Sequence, residues 1–227
     1  MTEARGDRVT DAQERAAEIL RRLEEAYPHA HIMLTYNTPF QLLIAVMLSA
    51  QTTDVSVNKV TPELFSRYPT PEALAQADLA DVERIIRPTG FFHNKAKNIR
   101  AAAQMIVSEF GGQVPSTMED LTRLPGVARK TANIVLSNAF GVVDGIAVDT
   151  HVFRLAHRLG LSSEKDPNKV ERDLMALFPR EKWGTLTYKL IDHGRAVCEA
   201  KRPACGVCVL SDICPSAFTV KGWRASL

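Results

Sequence analysis

The stretch LPGVARKTAN, residues 124–133, decides how this chain is read. Leu124 closes an apolar step, Pro125 and Gly126 break the backbone, and a run of good helix formers follows at once. Arg129 and Lys130 fall in the first turn of that new helix, where the macrodipole is positive and a cation is disfavoured. A bound anion removes the conflict. The Pro125–Ala128 turn leaves backbone N–H groups exposed at a helix N-terminus, which is a ready site for phosphate. Helix, tight glycine-containing turn, helix is also a shape used to bind nucleic acid. Taken alone, the turn supports no more than an ordinary αα-turn with two exposed cations.

Working outward, helical signals dominate. Thr10 and Gln13 can form a capping box, followed by a stripe of Ala16, Ile19, Leu20 and Leu23 at helical spacing. Pro39 to Ser49 is apolar nearly all round and predicts a central helix. Further helices are expected over 54–67, after Thr70-Pro71, over 78–87, over 94–110, over 117–123, from the opening turn to Phe140, over 150–159, after Asp166-Pro167 to Leu177, and over 181–198. GVVDGIAV, residues 141–148, offers the one strand candidate, weakened by its two glycines. The class is all-α, with about ten helices.

Composition fits a globular protein: 227 residues, 45% hydrophobic, 24% charged. The net charge of +2 excludes little. Its distribution says more, because residues 180–227 hold eight Lys/Arg against four Asp/Glu. A basic end suits an anionic partner, although a solvated surface would look the same. The N-terminus is charged throughout, with no apolar core of a secretory signal. The longest apolar run, LLIAVML at 42–48, is too short to span a bilayer. The expectation is a soluble intracellular protein with no membrane partner.

Four cysteines, Cys198, Cys205, Cys208 and Cys214, lie within seventeen residues, spaced C-x6-C-x2-C-x5-C. Disulfides are disfavoured inside a cell, and clustering argues against scattered core thiols. Zinc prefers two short knuckles. Four thiolates from one irregular segment favour a [4Fe–4S] cube instead. The loop between the first two cysteines carries Lys201 and Arg202 and, pinned at both ends, would present them rigidly.

Lys130 has a second use. A lysine destabilised by a helix dipole or by desolvation yields a neutral amine, a nucleophile able to form a Schiff base. Such an amine needs a carboxylate nearby. VDTH, residues 148–151, supplies Asp149 at the N-cap of the next helix, and the intervening chain is long enough to bring it back beside Lys130.

The hairpin, VDTH and the four-cysteine terminus, in that order, together with LSAQTTDVSVNK at 48–59, resemble the helix–hairpin–helix DNA glycosylases, specifically the glycosylase/AP lyase branch that carries a [4Fe–4S] cluster. The similarity runs from about Ile19 to Cys214. It implies two helical domains: a six-helix barrel at 32–142, and a cluster domain from 1–31 and 143–227. It implies that DNA crosses the groove between them. It implies a monomer acting in base excision repair in a prokaryotic cytoplasm, at the nucleoid, on double-stranded DNA holding oxidised pyrimidines or abasic sites. Lys130 matches the nucleophile, Asp149 the charge-stabilising aspartate, and Cys198, Cys205, Cys208 and Cys214 the cluster ligands. Gln51 matches the residue that fills the gap left by an extruded nucleotide, and Phe91 the wedge. Leu124, Gly126, Ala128, Arg129, Lys201 and Arg202 are the further expected DNA contacts.

Two residues depart from the family pattern. Ala128 stands where the second glycine of the hairpin is usual, so its methyl is expected to crowd the phosphate and restrict positive φ. Phe91 stands where many members carry leucine. The adenine-mismatch branch of the superfamily lacks the nucleophilic lysine and adds a C-terminal domain. Lys130, and a chain ending thirteen residues after Cys214, point away from it. A non-catalytic module with a sensing cluster is the competing class.

Overall fold

The computed structural model describes residues 3–227, with residues 3–11 described by backbone alone. The described residues form eleven α-helices, three single-turn 3₁₀ segments and no strand. They divide into two compact units, residues 32–144 and residues 1–31 with 145–227. The segment 141–148, the one strand candidate, is irregular chain. Gly141 takes φ +65°, which breaks an extended run at its first residue.

The 32–144 unit is built on α2 (Pro39–Leu48). Thr38 caps it by accepting a hydrogen bond from the Gln41 N–H at 3.2 Å, and Pro39 occupies the first helical position. Every residue from Leu42 to Leu48 is buried, as is Phe40. A helix that is apolar all round can be stable only when its neighbours cover it. Those neighbours are α3 (Asp54–Arg67), α6 (Phe92–Phe110) and α8 (Arg129–Ala139). The short helices α4 (Pro71–Ala75) and α5 (Leu79–Ile86) pack on α6, and α7 (Met118–Arg123) packs on α8. Pro62 sits inside α3, where the helix continues through it.

The other unit contains α1 (Glu3–Ala26), α9 (Thr150–Arg158), α10 (Pro167–Leu177) and α11 (Trp183–Ala196). Ala16, Ile19 and Leu23 of α1 are fully sequestered, so the expected stripe is its buried face. The capping box expected at Thr10 rests on a side chain outside the described residues. Helix α11 ends two residues before Cys198, which therefore sits on a turn, its N–H donating to the His193 carbonyl at 2.8 Å.

Threonine or aspartate caps most of the N-termini. Thr53, Thr70, Asp78, Thr117, Asp149 and Asp166 each accept from the first turn that follows. Among the described helix starts, three α-helices have no side-chain cap: α6 at Phe91, α8 at Ala128 and α11 at Lys182. Two of these three starts belong to the expected site.

Candidate nucleic-acid interface and active site

The turn between α7 and α8 closes through the Val127 N–H, which donates to the Leu124 carbonyl at 3.0 Å. Gly126 takes φ +79°, as the third residue of a type II turn requires. A Cβ on Gly126 would lie 2.9 Å from both Cβ and Nδ2 of Asn98 on α6. The glycine is therefore fixed twice, by its dihedral and by the helix behind it. Leu124 and Val127 are buried and anchor the turn in the core. The Leu124 side chain is thus packing, and only its backbone remains for a contact with DNA.

Ala128 is the N-cap of α8 at φ −94°, ψ 168°. This is extended backbone open to any residue, so the expected restriction of positive φ does not apply there. Its methyl is exposed and offers no cap. No side chain caps this first turn of α8, and helix N-termini of that kind are where anions are held. Arg129 Nη2 lies 3.8 Å from Asp144 Oδ2, a loose pair. Lys130, the second residue of the helix, is exposed.

Asp149 caps α9 in the other unit. One oxygen, Oδ1, accepts from both His151 N–H and Val152 N–H at 2.8 Å, and the residue is half-buried. Oδ2 takes no part in the cap. Burial holds the neighbouring His151 below the usual histidine range, against the pull of the Asp149 charge.

Gln51 and Phe91 come together in the 32–144 unit. Both line a cavity of about 240 Å³ with Met47, Asn94, Asn98 and Gly126. Each adopts a left-handed backbone, φ +53° at Gln51 and φ +47° at Phe91, a conformation uncommon outside glycine. Phe91 is 66% exposed, whereas Phe92 packs against the core. Between them lies a residue that sequence reasoning missed. Lys95 is buried, and its ammonium donates to the Leu48 carbonyl at 2.8 Å, Thr52 Oγ1 at 2.8 Å and the Thr89 carbonyl at 2.7 Å. Burial lowers its pKa from the ordinary lysine value. A signal existed, since Lys95 shares the helical stripe of Ile99, Ala102 and Ile106.

Cys198, Cys205, Cys208 and Cys214 line one cavity of the other unit, with apolar neighbours such as Leu155, Leu159 and Ala204. Among the described residues no three His, Cys, Asp or Glu side chains are gathered for a single metal ion. The sulfurs already have donors. Arg158 Nη1 donates to Cys198 Sγ at 3.2 Å, and the Leu210 N–H to Cys208 Sγ at 3.4 Å. Burial pushes the Cys208 thiol up to about 11. The loop between Cys198 and Cys205 is closed by the Ala204 N–H donating to the Val197 carbonyl at 2.9 Å. Lys201 and Arg202 are exposed on it. Arg154 and Arg158 also bond the Cys198 carbonyl and its neighbours, a set of contacts the sequence pattern did not single out.

The model of the HhH-GPD superfamily base excision DNA repair proteins matches residues 44–180. Endonuclease III of Synechocystis is 55% identical over 210 residues, covering 92% of this chain and 96% of that protein. Endonuclease III of Escherichia coli K12 is 43% identical over 197 residues, covering 87% and 93%. The chain belongs to the endonuclease III family. The solved structures agree. A non-covalent endonuclease III–DNA complex matches with a TM-score of 0.88 and 41% identity, covering 91% of this chain and 97% of that one. A trapped endonuclease III–DNA covalent intermediate with an estranged adenine matches equally well. Membership makes this a base excision repair enzyme of the glycosylase/AP lyase class, all-helical like the family. Among the described residues no helix is long and apolar enough to cross a membrane.

Proposed function

We propose that this endonuclease III family protein excises oxidised pyrimidines from double-stranded DNA and cleaves the strand at the resulting abasic site. Lys130 is the nucleophile. Its Nζ lone pair attacks C1′ of the extruded nucleotide, and the base departs with the glycosidic electron pair and takes up a proton. Ring opening leaves an imine between Nζ and C1′. Loss of a C2′ proton then expels the 3′ phosphate by β-elimination. What supports this assignment most is the uncapped start of α8. A helix start without a side-chain cap, beside an exposed Lys130, can hold a backbone phosphate while the amine meets the sugar. The duplex covers Lys130 in the complex and supplies the desolvation that the free protein lacks.

Asp149 stabilises the positive charge that develops at C1′ and Nζ and moves the proton. Its capping role does not compete, because a single oxygen serves the cap. Gln51 fills the space vacated in the helix, and Phe91 props the opposite strand. Gly126, Ala128 and Arg129 hold phosphates around the turn, the Leu124 backbone beside them, and Lys201 and Arg202 meet the strand from the cysteine loop.

The four cysteines fit a [4Fe–4S] cluster. Four thiols face one cavity rather than one point, and N–H donors already aim at two of the sulfurs. A thiol held near 11 ionises once a cation takes the place of its proton. When bound, the cluster supplies a rigid cross-link among four loop segments, which fixes Lys201 and Arg202. The protein acts as a monomer on nucleoid DNA in the cytoplasm.

The test is borohydride trapping on a duplex carrying one abasic site. A covalent adduct that disappears in Lys130→Ala supports the lyase. No adduct from the intact protein overturns it and favours a non-catalytic module. A panel of oxidised-base duplexes then reads the glycosylase, and oxidised pyrimidines should be released first.

A further inference from the structure

The loops bearing Gln51 and Phe91 lie far apart in sequence, and each holds a strained non-glycine residue. Something must fix both at once. The Ser49–Thr52 turn is closed by the Thr52 N–H donating to the Ser49 carbonyl at 3.1 Å, with Gln51 inside it. Phe91 follows the Arg87–Thr89 turn and is the N-cap of α6. Thr89 is itself buried, its hydroxyl donating to the Ile86 carbonyl at 2.7 Å. Lys95 stands one turn into α6, and its three acceptors come from three places: the last turn of α2, the residue after Gln51, and the residue two before Phe91. The Thr52 hydroxyl, accepting from Lys95, passes its own hydrogen to the same Thr89 carbonyl.

No carboxylate belongs to this set. Carbonyl dipoles and one hydroxyl solvate the ammonium instead. The Leu48 carbonyl is an orphan acceptor at the negative end of α2, a helix with no basic residue of its own in its last turn. A methionine or leucine would pack as well on this stripe and avoid desolvating a charge. The amine therefore gains its place through the loops it joins.

We infer that Lys95 is a positioning residue for nucleotide extrusion, whose three-way hydrogen bond sets the spacing of Gln51 and Phe91 so that gap-filler and wedge enter the helix together. Lys95 touches neither DNA nor the reacting atoms; it acts through the two loops. This inference rests on the reading that Gln51 and Phe91 enter the duplex. A displacement of about 1 Å at a positioned group can cost on the order of 100-fold in rate, and extrusion is the step that feels it.

The experiment compares kcat/KM on an abasic site in a duplex with that on the same site in a single strand, where no opposite strand has to be propped. Lys95→Met should lower the duplex-to-single-strand ratio by roughly tenfold or more, mainly through kcat. Gln51→Ala and Phe91→Ala should lower the same ratio. Ile106→Ala, at the far end of α6 and equally buried, is the control for lost stability and should leave the ratio alone. Should Lys95→Met fail to fold, Thr52→Val removes one acceptor and the hydroxyl bridge while keeping the ammonium, and should lower the ratio in the same direction. If Gln51→Ala and Phe91→Ala lower the ratio but the Lys95 and Thr52 variants do not, the positioning role is overturned alone. If Lys95→Met depresses both substrates equally, as Ile106→Ala does, Lys95 is structural only and the inference fails. If neither Gln51→Ala nor Phe91→Ala moves the ratio, the reading of the two loops fails first, and the role of Lys95 with it.

Discussion

Gly126→Ala separates two costs that the α7–α8 turn imposes. The first is conformational. At φ +79° an alanine pays the left-handed penalty of roughly 1–2 kcal/mol, partly offset by about 0.4–1 kcal/mol of lost unfolded-state entropy. The second is steric. The new Cβ would sit 2.9 Å from Asn98 Cβ, an atom fixed to the α6 backbone, so the turn or the helix must shift. Overpacking of that kind costs about 1–3 kcal/mol. Gly141→Ala is the matched control. It stands in the same 32–144 unit, at φ +65°, with nothing within 4 Å of its would-be Cβ. Gly141→Ala should therefore lose under about 1.5 kcal/mol, and Gly126→Ala about 1–3 kcal/mol more. In a chain of this size each kcal/mol moves Tm by about 2–4 °C. Paired urea melts read the difference directly. Asn98→Ala in the Gly126→Ala background removes Nδ2 but leaves Cβ, so it should recover only part of the loss. Gly126→Ala no worse than Gly141→Ala would refute the claim that Asn98 sets the position of the turn.

Asp149→Asn keeps an acceptor at the N-cap of α9, so unfolding should shift by less than about 1 kcal/mol, while strand cleavage falls by at least about 100-fold; unaltered single-turnover cleavage would remove the carboxylate from the chemistry. Ala128→Gly should leave stability within about 1 kcal/mol of the parent, because the better N-cap preference of glycine offsets its greater chain entropy, and, if the methyl crowds a phosphate, it tightens binding to abasic duplex, measured by fluorescence anisotropy. The Tyr68 hydroxyl, with Arg84 and Arg67 beside it, holds the Asp81 carboxyl below the usual carboxylate range. Its contribution to stability is full above the ordinary value and is lost as pH falls through the lowered one. The gap in Tm between the parent and Asp81→Asn should accordingly close on going from pH 6 to pH 2 (roughly), and a gap that widened would contradict the assigned sign. Cys208→Ser should purify without the absorbance near 400 nm (approximately, as expected for thiolate–iron charge transfer), whereas an unchanged band would exclude Cys208 as a ligand.

Local chemistry was the legible part of the fold. Threonine and aspartate caps, prolines at first helical positions and glycines after helices mark boundaries within a residue or two, because each acts on its own backbone neighbours. Helix α6 shows where this fails. The sequence suggests a start at Asn94, yet the helix begins at Phe92, after a phenylalanine in a left-handed conformation. No residue preference predicts that start, because tertiary bonds impose it. The family pattern misleads at Ala128 in the opposite way. A position usually glycine suggests a positive φ, but the backbone there is extended, so any demand for glycine comes from what approaches the turn and not from its dihedral. Lys130 is similar: the motif marks it as the candidate nucleophile, but the chain leaves it exposed. The clustered cysteines of the sequence line one cavity, while the arginines of α9 that bond around Cys198 gave no pattern of their own.

Strain is the link between the fold and the proposed extrusion step. Three non-glycine residues take positive φ among the described residues: Gln51, Phe91 and, in the other unit, Phe218. Each such residue costs roughly 1–3 kcal/mol and persists only where its surroundings over-determine it. Around Gln51 and Phe91 that determination is concentrated in a few hydrogen bonds, through Lys95, Thr52 and Thr89. A side chain that must displace a base cannot relax into its own pocket when the base returns, so a rigid, strained loop serves extrusion better than a comfortable one. The exposed ring of Phe91 makes the same point energetically. Its apolar surface faces solvent in the free protein, and under the proposed role burying it between bases would recover hydrophobic free energy at the step where unstacking is costly. Leucine at this position would recover less and pack differently against the opposite strand. Phe91→Leu should therefore slow release of a stably paired damaged base more than it slows cleavage at a preformed abasic site, and equal slowing of both would detach the ring from the unstacking step.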